Sequence, residues 1–429
     1  MEYVWSEEYK YKCWLDIELA VCKARVELGE IPEKAFTEIK KNVKINLPRI
    51  KEIEKETRHD ILAFIQGINE TLGEESRFIH QGITSSDIKD TARSLQMKKS
   101  LALLKEGLEK LGKLLGGKAS LHKDTIMIGR THGIHAEPVT WGLKLLLWYQ
   151  EIGRHLERFT QLEKRIAVGQ ISGAVGTYAS VKPEVEKLVC RELALQPAVV
   201  SNQILQRDRH AEYLNNLALV AASLEKFATE IRNLQRTDIL EVEEGFRKGQ
   251  QGSSAMPHKK NPIVCERITG LARVVRANVI PGLENISLWH ERDLTHSSAE
   301  RIVLPDSSIA LDYMLNKFVE VISELVVNKD KMKANMKRTH GLIFSQKVML
   351  ALIEKGLSRE NAYQITQRNA MQSWQTGSKF QDLLKKDEQI KKYLTENELA
   401  QIFDYQSFLK EIDHIFKISE ISERGQFKP

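Results

Sequence analysis

The stretch WGLKLLLWYQEIGRHLERFTQLEKRI, Trp141 to Ile166, decides the fold. Its apolar positions Leu145, Trp148, Ile152, Leu156, Phe159, Leu162 and Ile166 recur at three- and four-residue steps, which sets them on one stripe of a long helix. Pro138 just upstream suits an N-terminal helix position, because its missing N–H has no partner there anyway. Working outward, Leu217, Val220, Leu224, Phe227, Ile231 and Leu234 form a second stripe. Leu101, Leu104, Leu108, Leu111 and Leu115 form a third, with Gly116 and Gly117 expected to end it. Alternating strand patterns are nearly absent, only ten prolines punctuate the chain, and no low-complexity linker or short repeat is visible. The expectation is an all-α protein built on a bundle of long helices. Stripes this long must be buried against other helices, in a bundle shared between subunits or in a monomeric one, and periodicity leaves both open.

Length and charge bound what such a bundle can do. At 429 residues the chain has room for about two or three domains, and 42% apolar residues supply a large core. The 64 basic and 58 acidic residues are spread along the chain rather than gathered into an arm or stripe. Nucleic acid is therefore not an expected partner, whereas a cleft can still focus positive potential on a small anion. Cys13, Cys22, Cys190 and Cys265 lie at neither metal-ligand nor redox-motif spacing, and the start MEYVWSEEYK is too charged for a secretory signal. These features, with no apolar run long enough to span a bilayer, give an expected cytoplasmic location and no membrane role.

Four segments break the helical rhythm. GSSAMPHKKNP, Gly252 to Pro262, places two serines after a glycine, three basic residues after a proline, and closes on Asn-Pro. TRHDILAF, from Thr57, precedes HQGITSSDIKDTA, from His80, whose run Thr84, Ser85, Ser86 and Asp87 has the composition of a helix N-cap. The free N–H groups there suit an anion, although capping alone explains the same residues. GRTHGIHAEPVTWG carries His132 and His135 three apart at an expected helix start. No third ligand at familiar spacing supports a metal, so proton transfer or a structural hydrogen bond fits better. In WHERDLTHSSAERI, Arg292, Ser297 and Arg301 could bring two guanidinium groups and a hydroxyl onto one surface able to hold phosphate or carboxylate, or form a solvated ion-paired face.

Taken together, GSSAMPHKKNP, TRHD, TSSD, GRTHGIHAEP, LQRDRH and SSAER resemble the adenylosuccinate lyase branch of the fumarase/aspartase superfamily, from about Trp5 into the C-terminal helices. The loop alone is similar to the whole superfamily, and the other segments separate this branch. The resemblance implies a three-part all-α fold, drawn here as residues 1–84, 85–332 and 333–429. The central part would supply the long helices of a twenty-helix core in a homotetramer. It also implies cleavage of fumarate from adenylosuccinate and from the succinylocarboxamide ribotide (SAICAR), with small-molecule nucleotide substrates, no metal and no organic cofactor.

The roles implied by the same resemblance follow from the chemistry. A β-elimination removes a weakly acidic proton beside a carboxylate, so the charge pushed onto that carboxylate must be stabilised where it develops. Lys259 and Asn261 are expected to do so, with Ser253 as general base and Ser254 touching substrate. His132 resembles the general acid that delivers a proton to the leaving nitrogen, assisted by His59, with His80 a further site histidine. Arg58 and Asp60 are expected beside His59, Thr84 and Ser85 at the succinyl carboxylates, Gln203 and Arg267 on ligand, and Arg292, Ser297 and Arg301 towards the nucleotide end. One departure is that this sequence starts at MEYVWSEEY, without the Arg-Tyr pair that commonly precedes the Trp segment and helps hold phosphate. Two other readings are a non-catalytic structural protein on the same scaffold and a lyase acting on another succinyl-amine. The joint presence of Ser253, Lys259, Asn261, His59 and His132 weighs against the former.

Overall fold

The computed structural model of the chain describes residues 1–247 and 249–419. Long helices dominate: Ser85–Leu121, Trp141–Ile166, Asp208–Leu234 and Thr295–Glu324, with shorter helices before and after them. The 37 residues of Ser85–Leu121 extend about 55 Å at the usual helical rise. The described strands form three two-stranded sheets, of which only the antiparallel hairpin β1 (Ile126–Thr131) and β2 (Ile134–Thr140) is more than two residues long.

The expected stripes are the buried faces. Every apolar residue named in the Leu101–Leu115 and Leu217–Leu234 series is buried, as are all those from Leu145 to Ile166 except the half-buried Leu156. Each fully buried Leu, Ile or Phe contributes roughly 2 kcal/mol relative to exposure, so these faces rather than local propensity hold the helices.

The chain divides into two compact units. The first comprises Met1–Leu108, Arg154–Glu225 and Ile268–Asn316. Its core includes an aromatic trio, Tyr11, Trp14 and Phe64, with ring centroids 4.9, 5.5 and 5.9 Å apart. The second comprises Glu109–Gly153, Lys226–Arg267 and Lys317–Pro429. There Trp148 stacks on Phe227 at 4.7 Å and Phe318 lies 5.9 Å from Phe227, so three of the long helices are joined through one ring cluster. Val348, Leu352, Phe380, Leu384 and Leu399 form a further core among the C-terminal helices.

Two local expectations are corrected. Gly116 and Gly117 do not end the third helix, which runs on to Leu121. A mid-helix glycine costs about 1 kcal/mol, and the fully buried Leu115 and Ala119 on either side outweigh that. Pro138 does not start a helix but sits in β2 opposite Ile128. The helix starts at Trp141 after Thr140, whose Oγ1 accepts the Leu143 N–H at 3.0 Å, so the threonine and not the proline marks the boundary.

Candidate active site

Within the second unit the hairpin and the serine loop carry the expected chemistry. His132 and Gly133 have φ of 53° and 78°, the paired left-handed conformation of a tight hairpin turn, and His132 is exposed at its tip. The hairpin, rather than the helix start expected for this histidine, therefore presents it. Its base is fixed by Arg130, whose two terminal nitrogens donate to the fully buried Glu241 at 2.9 and 2.8 Å. Asn335 Nδ2 donates to the same carboxylate at 2.8 Å. Register slips between Ile128 and Arg130, and Gly129 lies where a Cβ would come 2.6 Å from the Glu137 carbonyl. His135 is kept below its usual pKa by burial and by Arg130.

The serine loop is folded on itself. Gly252 packs so closely that a Cβ would fall 1.9 Å from the Lys259 carbonyl oxygen, and Asn261 Nδ2 donates to the Gly252 carbonyl at 2.9 Å. Ser253 Oγ accepts two backbone N–H groups, from Ala255 at 3.2 Å and Met256 at 3.1 Å. Two donors aimed at one hydroxyl oxygen favour negative charge on it. Ser254 and Lys259 are exposed, and Arg267 lies exposed on the helix Ile263–Ala277 that follows. That helix start is fixed by Glu244, whose carboxylate accepts the N–H groups of Val264 at 3.2 Å and Cys265 at 2.6 Å.

The remaining expected residues lie in the first unit. The TRHD segment is a sharp junction: Arg58 ends one helix in the left-handed conformation, φ 51°, and His59 caps the next by accepting the Leu62 N–H on Nδ1 at 3.4 Å. An accepting Nδ1 leaves the ring proton on Nε2. Asp60 joins Lys89 Nζ at 2.5 Å and Arg301 at 3.6 Å. Burial pushes its carboxyl up, but the Lys89 hydrogen bond and charge, the Ile61 N–H and Arg301 outweigh this and hold it below the usual value.

Thr84 and Ser85 begin the long helix as expected of a cap, with the Thr84 N–H donating to Asp87 at 2.8 Å. Asp87 also accepts the N–H groups of Ser172 at 3.0 Å and Gly173 at 3.2 Å, so the TSSD turn is tied to a distant loop. Burial dominates its titration, and its pKa is pushed up to about 6. Arg292 donates to Gln203 Oε1 at 3.1 Å, while Ser297 is half-buried and Arg301 exposed. Arg207 is a buried hub: it donates to Asp90 at 2.5 Å, to the Leu205 carbonyl at 2.6 Å, and pairs with Glu300 at 2.8 Å. Burial works against the charge of Glu300, but His210, His296 and Arg207 keep its carboxyl well below the usual range.

The structure thus joins Asp60 to Arg301, and Gln203 to Arg292. It assigns Arg58, His59, Asp60, His80, Thr84, Ser85, Gln203, Arg292, Ser297 and Arg301 to the first unit. His132, Ser253, Ser254, Lys259, Asn261 and Arg267 belong to the second. Sequence reasoning missed Glu18, Lys89, Arg207, Glu241 and Glu300. A usable signal was present for Glu18, a charge between Ile17 and Val21 on the buried face of its helix. Among the described residues no group of three or more His, Cys, Asp or Glu could hold a metal ion. The four cysteines are buried, and burial pushes the thiols of Cys13, Cys22 and Cys190 up to about 12, away from reactivity.

Residues 1–277 match the lyase family and residues 341–418 match the adenylosuccinate lyase C-terminus family. The chain is 51% identical over 417 residues to an adenylosuccinate lyase of Staphylococcus saprophyticus, covering 97% of both chains. Among solved structures it is similar to a fumarate lyase from Mesorhizobium sp. BNC1, 28% identical with a TM-score of 0.90, covering 98% of this chain and 96% of that one. It is also similar to a 3-carboxy-cis,cis-muconate lactonizing enzyme from Pseudomonas putida, 27% identical with a TM-score of 0.89, covering 99% and 96%. With the helical fold, the serine loop and both family matches in place, the chain belongs to the lyase family of the fumarase/aspartase superfamily, on its adenylosuccinate lyase branch.

Proposed function

We propose that this lyase eliminates fumarate from adenylosuccinate to give AMP, and from SAICAR to give the aminoimidazole carboxamide ribotide. Ser253 Oγ takes the proton from the carbon beside the succinyl carboxylate. The electron pair forms the C=C bond of fumarate, the C–N bond breaks, and His132 delivers a proton to the departing nitrogen. The pair of N–H groups donated to Ser253 Oγ carries this reading, because a neutral serine is a poor base and needs its alkoxide stabilised. Lys259 supplies a full charge and Asn261 fixed donors for the charge developing on the carboxylate. Arg292, Ser297 and Arg301 serve the nucleotide end, and Asp60, held ionised by Lys89, orients the Arg58–His59 junction.

The three-part division at residues 84 and 332, a cytoplasmic location and a homotetramer with sites drawn from several chains belong to the same proposal. Exposed apolar residues on the long helices, Leu147, Leu219 and Ile302, support burial between subunits. A spectrophotometric assay with adenylosuccinate tests the activity. Ser253→Ala and His132→Ala are each expected to lose several orders of magnitude in kcat while still binding nucleotide. A mild loss in either removes that residue from its role.

A further inference from the structure

Glu18 lies on the helix Glu7–Glu27 and its side chain is 0% exposed, yet both of its oxygens are committed to one residue far along the chain. Oε2 accepts the backbone N–H of His80 at 3.0 Å, and Oε1 lies 2.7 Å from His80 Nδ1. His80 is held in the left-handed conformation, φ 58°, which costs a non-glycine residue roughly 1 kcal/mol and persists only where the surroundings over-determine it. Those surroundings are visible. Arg25 donates to Gln81 at 2.6 Å, and Gly82, φ 75°, lies so close to the Ser180 carbonyl that a Cβ would come within 2.3 Å of its oxygen. The His80 side chain retains 18% exposure, so the imidazole is the outer member of a pair whose inner member is wholly enclosed.

We propose that Glu18 is a positioning residue of the elimination site. It holds His80 as the Nδ1–H tautomer and aims Nε2 outward to accept an N–H or O–H of the nucleotide substrate. The inference rests on the activity proposed above. A carboxylate without a proton has only acceptors, so the hydrogen on the short Nδ1 contact comes from the ring, and in the neutral imidazole Nε2 then keeps its lone pair. The backbone N–H on the other oxygen fixes the carboxylate's rotation, so ring direction and tautomer are set by one side chain.

Glu18→Gln tests this with almost no change of shape. The amide oxygen can keep the His80 backbone N–H while the amide NH2 donates to Nδ1, which drives the ring proton to Nε2 and turns an accepting edge into a donating one. With adenylosuccinate as substrate, kcat/KM is expected to fall roughly tenfold to a hundredfold, the effect of one mismatched buried hydrogen bond. In a His80→Ala background the same substitution is expected to add almost nothing, because its route runs through the ring. Neutron diffraction from wild-type crystals should find the deuteron on Nδ1. A deuteron on Nε2, a Glu18→Gln loss of the same size with and without His80, or a loss under twofold would each overturn the inference. A wild-type protein inactive on adenylosuccinate would sink the proposed function, and the neutron result would still decide the tautomer.

Discussion

Replacing Arg130 by Met removes one partner of a pair that the hairpin cannot replace. Arg130 is 16% exposed, Glu241 is 0% exposed, and the two share hydrogen bonds of 2.9 and 2.8 Å. With the guanidinium gone, the carboxylate keeps Asn335 Nδ2 but no opposite charge, and leaving one member of a buried pair alone costs roughly 3–5 kcal/mol. The hairpin spans only 126–140, and His132 sits two residues beyond Arg130, so the cost falls where the proposed acid is held. Amide hydrogen exchange is the direct assay. Protection in β1 and β2 is expected to fall by roughly a hundredfold to a few thousandfold, the equivalent of that energy when opening is local. Turnover should fall at least tenfold while the C-terminal core around Phe380 and Leu384 stays protected. Arg130→Met with Glu241→Leu removes both charges and is expected to recover most of the protection. Hairpin exchange within fivefold of wild type in the single variant would refute the claim that this pair anchors His132.

Three further outcomes follow from other contacts. Asp87 has its pKa raised from 3.8 to about 6, so its contribution to stability is fully present below the unfolded pKa and is lost as pH rises through 6. Denaturant unfolding of wild type relative to Asp87→Asn should therefore shift against wild type between about pH 4 and 6.5 by on the order of 3 kcal/mol, and a flat difference would remove the burial argument. Gly252→Ala drives a Cβ into the Lys259 carbonyl and must open the serine loop, so activity should drop at least a hundredfold with the helical circular dichroism intact; near-normal activity would show that the loop closes otherwise. Mixing Ser253→Ala with His132→Ala subunits, after dissociation and reassembly, should restore activity if neighbouring chains complete one another's sites, whereas no recovery in verified mixed oligomers would confine both residues to a site within one chain.

The long helices were legible because burial needs periodicity, and periodicity survives in a single sequence. What escaped was the hairpin. Its strand residues Ile126 to Thr140 alternate poorly, since Met127 and Ile128 are both buried, and its register slips between Ile128 and Arg130. The turn signal was His132–Gly133, a left-handed pair that in sequence reads as ordinary loop polarity. Glu241 and Arg207 were missed for a different reason. A buried ion pair is a fact about two or three residues distant along the chain, and nothing in the local composition of either partner reveals the other. The motif residues were readable because the resemblance supplied the long-range association that local composition lacks.

Arg207 shows what that association is physically. Its guanidinium reaches Asp90, on the helix that opens with Thr84 and Ser85. It also holds the Leu205 carbonyl, two residues from Gln203, and Glu300, between Ser297 and Arg301. Leu205 N–H returns to Asp90 at 2.9 Å, closing the connection between the first two segments. One cation can satisfy this arrangement because a guanidinium offers five donors in a planar fork, which a lysine could not reproduce. Each partner is buried, so a shift in any one segment strands a charge without water to replace it, and the three segments are held to one arrangement by the cost of departing from it. The ambiguity of TSSD and SSAER read singly, the one as a cap and the other as an ion-paired face, therefore has a structural cause: the polar residues of these segments are shared across the chain, and only the set accounts for the charges of its members.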